Sequence, residues 1–254
     1  MSDDFLSRAA VDAWRQRLGV SVELAMARVA LLPNGAEESA ASFLVDSELA
    51  RYHGFTFPKR RREWLGGRMA AKLALCKLAV PGHQLSGEPD WRSWWVENSA
   101  SGQPLAHREM ESSGQAPAIS ISHSGDWAVA MACAGVACGI DIQQISDQTI
   151  RLRDRFCAAQ ERRRLAPAGD LAEATRLTLL WAAKEAVRKA DPYGNPAGFS
   201  QIRLTEVAGC GPAAFRFDFG VAGATACRVA AWLDGDYALA FTVNQGAADT
   251  GEVK

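Results

Sequence analysis

The segment Trp181 to Lys189 carries charged side chains inside an otherwise apolar helical pattern. Glu185 and Lys189 are four residues apart, so a helix places them on one face, one turn beyond Trp181. Such a pair can be a surface ion pair that contributes about 0.3 kcal/mol. The apolar residues that precede it indicate partial burial instead: Leu177, Leu179 and Leu180.

An aspartate stands inside the strand-like pattern Gly139 to Gln143. Successive side chains of a strand point to opposite faces, so Asp141 leaves the face that Ile140 and Ile142 occupy. Asp is depleted in strands, and one at this position indicates a ligand, a cap or a turn. Asp141 and Glu185 could together hold one magnesium ion, with waters and phosphate oxygens completing its shell.

A third pattern, Ser120 to Gly125, alternates serine with other residues and places the three serines on one side of a strand. His123 is predicted to lie in the turn that follows. A Ser–His nucleophile pair is disfavoured, because adjacent strand residues face opposite ways and no G-x-S-x-G elbow presents a serine. Phosphate binding by Ser122 and His123 fits better, although His123 can also be a turn residue without a role.

The basic run Arg60 to Lys72 is by itself typical of a solvated helix face. Gly66 and Gly67 interrupt a helix of strong formers, and each costs about 1 kcal/mol relative to Ala. We therefore expect this helix to pack closely against another backbone.

Periodicity predicts the elements that position these residues. Helices are predicted over 59–80, 150–164 and 171–190. The stretch from 81 to 117 is predicted to be a loop with an aromatic patch at Trp91, Trp94 and Trp95. Strands are predicted over 118–122, 127–133 and 137–142, and an antiparallel sheet over 202–243. No exact internal repeat is visible, but the pattern predicts an α/β (α+β) fold of two similar halves, 1–135 and 136–254, with 245–254 as a frayed tail.

Composition excludes several classes of protein. The chain has 254 residues, a formal net charge of -1 and 48% hydrophobic residues, without a run of the length that a membrane span needs. Its basic clusters lack the interleaved aromatic residues of nucleic-acid binders. The start, Met1 to Asp4, is acidic rather than basic, and the six cysteines form no C-x-x-C pair. We therefore expect a cytoplasmic protein without nucleic-acid or membrane partners.

Taken in order, these segments resemble the Sfp-type 4'-phosphopantetheinyl transferases. The resemblance covers about Glu48 to Phe241 and is carried by five motifs: Arg62 to Lys72, Ser122-His123-Ser124, Gly139 to Gln143, Phe156 to Glu161, and Trp181 to Lys189. It implies two similar α/β halves related by a pseudo-twofold, with coenzyme A in the cleft between them. The family's larger members are monomers, which implies a monomer here.

The resemblance also implies the roles of site residues. It assigns Asp141 and Glu185 to Mg²⁺, and Ser122, His123, Lys189 and Arg62 to coenzyme A. Catalysis falls to Glu185, Lys189 and His123. Glu185 would take the proton from a serine of an apo acyl or peptidyl carrier protein, and 3',5'-ADP would leave.

The chain departs from the family pattern at two positions: many members have Glu where Gln143 stands, and many have Lys where Gln103 stands. The basic segment Arg151 to Arg164 is a candidate docking face for the carrier. Two other readings remain. One is a magnesium-dependent phosphohydrolase of a nucleotide or pyrophosphate, and the other is a non-catalytic subunit that binds carrier proteins. The resemblance implies a role in fatty acid, polyketide or nonribosomal peptide biosynthesis.

Overall fold

The computed structural model describes residues 21–32, 37–80, 85, 87–109, 116–165, 171–211, 213–222 and 226–244. Two antiparallel sheets of five strands organise this part of the chain. The first contains β1 (Val22–Arg28), β2 (Trp94–Asn98), β3 (Pro104–Arg108), β4 (Ala118–Ser124) and β5 (Trp127–Cys133). The second contains β6 (Ala137–Gln144), β7 (Ile202–Gly209), β8 (Ala214–Val221), β9 (Cys227–Asp234) and β10 (Tyr237–Asn244).

Six α-helices accompany the sheets within the described residues. They are α1 (Glu37–Phe43), α2 (Asp46–His53), α3 (Pro58–Ala79), α4 (Gln148–Leu152), α5 (Ala159–Arg164) and α6 (Glu173–Lys189). Short 3₁₀ helices occur at Val29–Leu31, Arg153–Arg155 and Phe199–Gln201. None of the helices in the described part of the chain is long and apolar enough to cross a membrane.

The two sheets have the same strand order: β1-β5-β4-β3-β2 in the first and β6-β10-β9-β8-β7 in the second. In each, one strand precedes the helices and four follow them, which confirms the predicted α+β fold of two similar halves. The division into domains at residue 135 stays a prediction, and the predicted tail, 245–254, lies outside the described residues.

A hairpin repeats between the halves although no exact repeat is visible in the sequence. Gly125 (φ +55°) and Asp126 form the two-residue turn before β5, and Gly235 (φ +51°) and Asp236 form the one before β10. The positive φ favours glycine, because a Cβ would be strained there. The strands that follow read Trp127-Ala-Val-Ala-Met and Tyr237-Ala-Leu-Ala-Phe.

The core has three layers of apolar contacts. Helix α3 packs on one face of the first sheet, against Ala130 and Ala132 of β5. Helix α6 packs on one face of the second sheet, against Ala238 and Ala240 of β10. The other faces of the two sheets meet in a buried cluster that includes Val129, Met131, Ile140, Leu239 and Phe241. Strands β5 and β10 are therefore covered on both sides, which explains their continuous apolar sequences.

The structure confirms the two long helices but divides the predicted helix 150–164. Helix α4 ends at Leu152, and α5 begins only at Ala159. Between them, Phe156 is buried and packs edge-on against Trp181, with ring centroids 4.7 Å apart. Glu161 accepts a hydrogen bond from the Ala158 amide at 2.8 Å and so caps the second helix.

Three local predictions were wrong. The stretch predicted to be a loop contains β2 and β3, because Trp94 and Val96 are buried against α3. His123 and Ser124 belong to strand β4, since the turn needs only Gly125 and Asp126. Added Cβ atoms at Gly66 and Gly67 would meet side chains, not another backbone: Val29 at 2.8 Å and Ile121 at 3.0 Å.

Candidate active site

A glycine sets the distance between the strand and the helix that carry the candidate site. A Cβ at Gly139 of β6 would collide with the main-chain carbonyl of Ala186 on α6. Glycine therefore lets α6 lie directly on β6. The approach brings Lys189, at the C-terminal end of the helix, onto Asp141 of the strand.

Asp141 is the centre of the cluster and is 1% exposed. As the alternation predicts, its neighbours Ile140 and Ile142 face the core between the sheets, and Asp141 faces α6. Its Oδ1 accepts hydrogen bonds from Ser122 Oγ at 2.6 Å and from Lys189 Nζ at 2.6 Å. Its Oδ2 accepts one from Gln143 Nε2 at 2.9 Å. The buried carboxylate thus has a cation and two neutral donors around it.

Lys189 joins the first half of the chain to the second. Besides the Asp141 carboxylate, its ammonium donates to the carbonyl of Ile121 at 3.3 Å and to that of Ile140 at 3.1 Å. These carbonyls belong to β4 and β6, one in each sheet. The three protons of the ammonium therefore have acceptors. The side chain is nevertheless 28% exposed, so a ligand can reach it from solvent.

Glu185 lies one helical turn before Lys189 and is 19% exposed. Its Oε1 accepts a hydrogen bond from Arg188 Nη1 at 3.0 Å. Burial raises the pKa of Glu185, and the negative charge of Asp141 raises it further, while Arg188 and Lys189 act in the opposite direction. The carboxyl is therefore a stronger base than an exposed glutamate, which suits proton abstraction.

The serines of β4 form a seam with β6. Ser122 donates to Asp141, as described above. Ser120 Oγ accepts a hydrogen bond from the Ile140 amide at 3.1 Å, and Ser124 Oγ accepts one from the Gln144 amide at 2.9 Å. Every second residue of β4 thus bonds to a strand of the other sheet. The alternation that places the serines on one side serves to join the halves.

His123 points to the opposite side of β4 and belongs to a second polar group. Its Nε2 lies 3.2 Å from Arg60 Nη1, and its Nδ1 lies 4.0 Å from Glu63 Oε2. Burial lowers the pKa of His123, Glu63 opposes the shift, and Arg60 adds to it. The ring is therefore neutral near pH 7, and the cationic group at this position is Arg60. Arg62 lies half-buried on α3, next to Glu63 in the chain.

A cleft of about 260 Å³ opens beside the cluster. Its lining includes Glu185, Lys189, Ile121 and Gln103. Gln103 Nε2 donates to the carbonyl of Asp191 at 3.3 Å, which holds this side chain at the cleft. A ligand in the cleft would therefore lie beside Glu185 and Lys189.

The two acids fit a hard divalent cation by their chemistry. Carboxylate oxygens are what Mg²⁺ prefers, and it commonly binds one or two of them together with waters and phosphate oxygens. The rise in the pKa of Glu185 caused by Asp141 reflects a repulsion that a cation would offset. No group of three or more His, Cys, Asp or Glu side chains suited to a metal occurs in the described part of the chain. Magnesium here would therefore rest on Asp141, Glu185 and non-protein oxygens.

Sequence reasoning missed several contacts of the site. Gln143 donates its amide to Asp141, a contact that the sequence pattern does not reveal. Arg60 contacts His123 across 63 residues of sequence, which no local pattern reveals. Arg188 could have been found, because it lies three residues after Glu185 on the same helix face.

Comparison with known proteins places the second half of the chain. Residues 137–242, from β6 to β10, match the family model of the 4'-phosphopantetheinyl transferase superfamily. Over 71 residues, or 27% of its length, the chain is 38% identical to a holo-[acyl-carrier-protein] synthase from Chlorobium limicola, and the match spans about half (55%) of that relative. A crystal structure of a holo-(acyl-carrier-protein) synthase from Bacillus anthracis str. Ames in complex with CoA (3',5'-ADP) is 23% identical, with a TM-score of 0.39, over 45% of this chain and 96% of its own. Residues 137–242 of this protein are therefore similar to the 4'-phosphopantetheinyl transferase superfamily.

Proposed function

We propose that this protein transfers the 4'-phosphopantetheine group of coenzyme A to a serine hydroxyl of an acyl or peptidyl carrier protein, with Mg²⁺ as the metal. The observation that carries the proposal is the contact of Asp141 with Lys189 and Ser122, beside Glu185 at an open cleft. Asp141, Glu185 and Lys189 lie within the segment that matches the family model. The name of the Chlorobium relative supports the same activity.

Glu185 is the proposed general base. Its carboxylate takes the proton of the carrier serine, directly or through a water, and the serine oxygen forms a bond to the β-phosphorus of coenzyme A. The bond from that phosphorus to the oxygen of the nucleotide breaks, and 3',5'-ADP leaves with the electron pair. Burial favours this role because it raises the pKa of Glu185 towards that of a useful base.

Charge neutralisation at the pyrophosphate is the second requirement of phosphoryl-type transfer. Lys189 supplies a fixed positive charge beside Glu185, and one of its three bonds would exchange for a phosphate oxygen. Bound Mg²⁺, held by Asp141 and Glu185, would add charge at the same oxygens. Gln143 and Ser122 hold the Asp141 carboxylate in place.

His123, Arg60 and Arg62 are proposed to hold the nucleotide end of coenzyme A. Because the pKa of His123 is lowered, its neutral ring acts as a hydrogen-bond donor, and Arg60 provides the charge. Five arginines of the basic segment 151–164 are exposed and are proposed to dock the carrier: Arg151, Arg155, Arg162, Arg163 and Arg164. A monomer in the cytoplasm belongs to the same proposal.

Intact-mass spectrometry tests the reaction directly. An apo carrier protein is incubated with this protein, coenzyme A and Mg²⁺, and parallel samples contain EDTA or a carrier whose acceptor serine is alanine. We expect a gain of one phosphopantetheine mass that both controls abolish. No gain on several acyl and peptidyl carriers would contradict the proposal.

The same samples separate the two other candidate functions. A phosphohydrolase would release phosphate from coenzyme A without any carrier. A binding subunit would capture the carrier equally well with and without Mg²⁺.

A further inference from the structure

Lys184 is a buried cation next to the proposed base. It is 1% exposed and points into the core, whereas Glu185 reaches the cleft. Its Nζ donates to the carbonyl of Phe156 at 2.7 Å and to Glu161 Oε2 at 2.9 Å, and it contacts the Phe199 carbonyl at 3.4 Å. The proposed mechanism uses neither Lys184 nor Glu161.

The same arrangement occurs in the first half of the chain. Lys72 of α3 is fully buried, and its Nζ donates to the carbonyl of Phe43 at 2.6 Å and pairs with Glu48 Oε2 at 2.6 Å. Phe and Glu are five residues apart in both halves, and each lysine follows two alanines. We call the two arrangements the first lock (Phe43, Glu48, Lys72) and the second lock (Phe156, Glu161, Lys184).

The glutamates of the two locks also make corresponding bonds. Glu48 Oε2 accepts from the Val45 amide at 3.2 Å, and its Oε1 accepts from the Val96 amide of β2 at 2.9 Å. Glu161 Oε2 accepts from Ala158 at 2.8 Å, and its Oε1 accepts from Leu204 of β7 at 2.8 Å. Each lock therefore ties a long helix to a short helix and to an outer strand.

What differs is the residue beside each lysine. Leu73 follows Lys72, whereas Glu185 follows Lys184. The registers of the paired strands likewise place Ala25 of β1 opposite Ala130 of β5, where the second half has Asp141 of β6 opposite Ala240 of β10. The lock thus occurs in one half without the two acids and in the other half with them.

We infer that the second lock is a structural unit of the repeat that positions the proposed base, which makes Lys184 a positioning residue for Glu185. The inference rests on the proposed function. Neighbouring residues of an α-helix differ by about 100° in direction. Fixing Lys184 towards the core therefore fixes the rotation of α6 that directs Glu185 to the cleft.

A second path from the lock reaches the Glu185 carboxylate. Lys184 contacts the carbonyl of Phe199, and the same segment holds Arg188. Arg188 Nε donates to the Ala197 carbonyl at 3.1 Å, and the Arg188 guanidinium lies 4.8 Å from the centroid of the Phe199 ring. Arg188 in turn donates to Glu185. The lock therefore acts on the backbone of α6 and on the partner of the carboxylate.

Paired variants of the two locks test the inference. Removing one partner of a buried ion pair leaves an uncompensated charge, whereas replacing both with neutral residues is far better tolerated. We compare Lys184→Met/Glu161→Gln with the matched control Lys72→Met/Glu48→Gln. Both should fold, the control with the lower thermal midpoint, because Glu48 also lies 4.0 Å from the buried guanidinium of Arg68. Only Lys184→Met/Glu161→Gln, the variant of the second lock, should lose kcat, by on the order of 10- to 100-fold. Its KM for coenzyme A should stay within about twofold of wild type.

Equal losses of kcat in both variants would overturn the inference, because the effect would then be general to the fold. An unchanged kcat in the variant of the second lock would also overturn it. Crystal structures give a readout that does not depend on activity: the Glu185–Arg188 contact, 3.0 Å in the wild type, should break only in that variant. A wild-type protein without transferase activity would contradict the proposed function alone, and an intact contact in the variant would contradict the positioning.

Discussion

Asp141 and Lys189 are each surrounded by partners before any ligand binds. The carboxylate accepts from Ser122, Gln143 and Lys189, and the ammonium uses two main-chain carbonyls as well. Preformed contacts of this kind reduce the reorganisation needed during a reaction. Binding of a metal and a pyrophosphate would then exchange partners at existing positions rather than assemble a new site.

Substitution of either acid should abolish most of the activity. We expect Glu185→Gln and Asp141→Ala each to lower the rate of transfer by at least about 100-fold, the scale of a lost general base or electrostatic contact. The measurement is single-turnover transfer to an apo carrier. Glu173→Gln is the matched control, because Glu173 begins the same helix but is exposed. Near-normal turnover of Glu185→Gln would rule out the proposed base.

His123 provides a pH-dependent readout that needs no substrate. Burial lowers its pKa, Glu63 raises it and Arg60 lowers it. Arg60→Met should therefore raise the pKa of His123, and Glu63→Gln should lower it. NMR titration of the ring checks both shifts, with His123→Gln to assign the signal. Arg61→Met serves as the control, since Arg61 donates to the carbonyl of Phe55.

The sign of the effect on stability follows from the same shift. The folded protein binds the His123 proton less tightly than the unfolded chain, in which the pKa is about 6.5. The free energy of unfolding should therefore rise with pH from the folded-state pKa to about 6.5, and this contribution should be constant above that. Denaturation of His123→Gln should lack this contribution. An equal pH dependence in the variant would contradict the assignment.

The sequence identifies candidate residues of the site better than it identifies the residues that contact them. Asp141 and Glu185 were identifiable because a carboxylate is unusual in a strand of isoleucines or a helix of leucines. The partner of His123 was not, since Arg60 is distant in sequence. Nor was the direction in which Gln143 points, because that depends on the carboxylate beside it.

At the scale of elements, the approach of α6 to β6 decides whether the two acids can act together. Both lie near Gly139, one on the strand and one on the helix, and no side chain separates the two backbones there. The glycine therefore has a steric role, distinct from the turn glycines with positive φ.

Gly139→Ala should have two effects: it should destabilise the protein, and it should displace α6 from β6 and so lower the rate of transfer. We expect the free energy of unfolding to fall by about 1–3 kcal/mol, the usual cost of overpacking, because the added methyl meets a main-chain carbonyl that cannot rotate away. The measurement is chemical denaturation combined with the transfer assay. Gly209→Ala is the matched control: Gly209 also lies in a strand, but an added Cβ would meet nothing within 4 Å. Equal stability of the two variants would contradict the steric role.

Length and environment explain which elements could be predicted. Helices α3 and α6 have 22 and 17 residues, long enough for their composition and periodicity to be clear. Strands β2 and β3 have five residues each and contain Trp, Pro and Asn, so they resemble loops. The break at Phe156 depends on Lys184 and Glu161, which are tertiary partners that no local window contains.

At the scale of the whole molecule, the two halves share their topology and their locks but divide the proposed work. The second half carries Asp141, Glu185 and Lys189, and the first contributes Ser122 and His123 from β4. Lys189 and the β4 serines join the two. A prediction of similar halves from the sequence was possible because each half shows helical segments together with a few strands. The repeated locks were not seen, because the intervening sequence differs.

The distribution of charge yields the last prediction. The net charge is -1, but α5 ends in three consecutive exposed arginines, Arg162 to Arg164. An acidic carrier surface that docks there gains attraction screened over about 10 Å at 0.1 M salt. The KM for the carrier should therefore rise with ionic strength, while the KM for a carrier lacking its acidic residues should not.

Charge reversal at one position tests this face of the protein. Arg162→Glu should raise the KM for the carrier several-fold and flatten its salt dependence, with little change in kcat, because a charge at the rim of an interface mainly affects encounter. Arg28→Glu is the matched control, an exposed arginine on β1 of the other half. Both KM values come from initial rates at three salt concentrations with coenzyme A in excess. Equal effects of the two reversals would indicate a general response to net charge, and the carrier would then have to dock elsewhere.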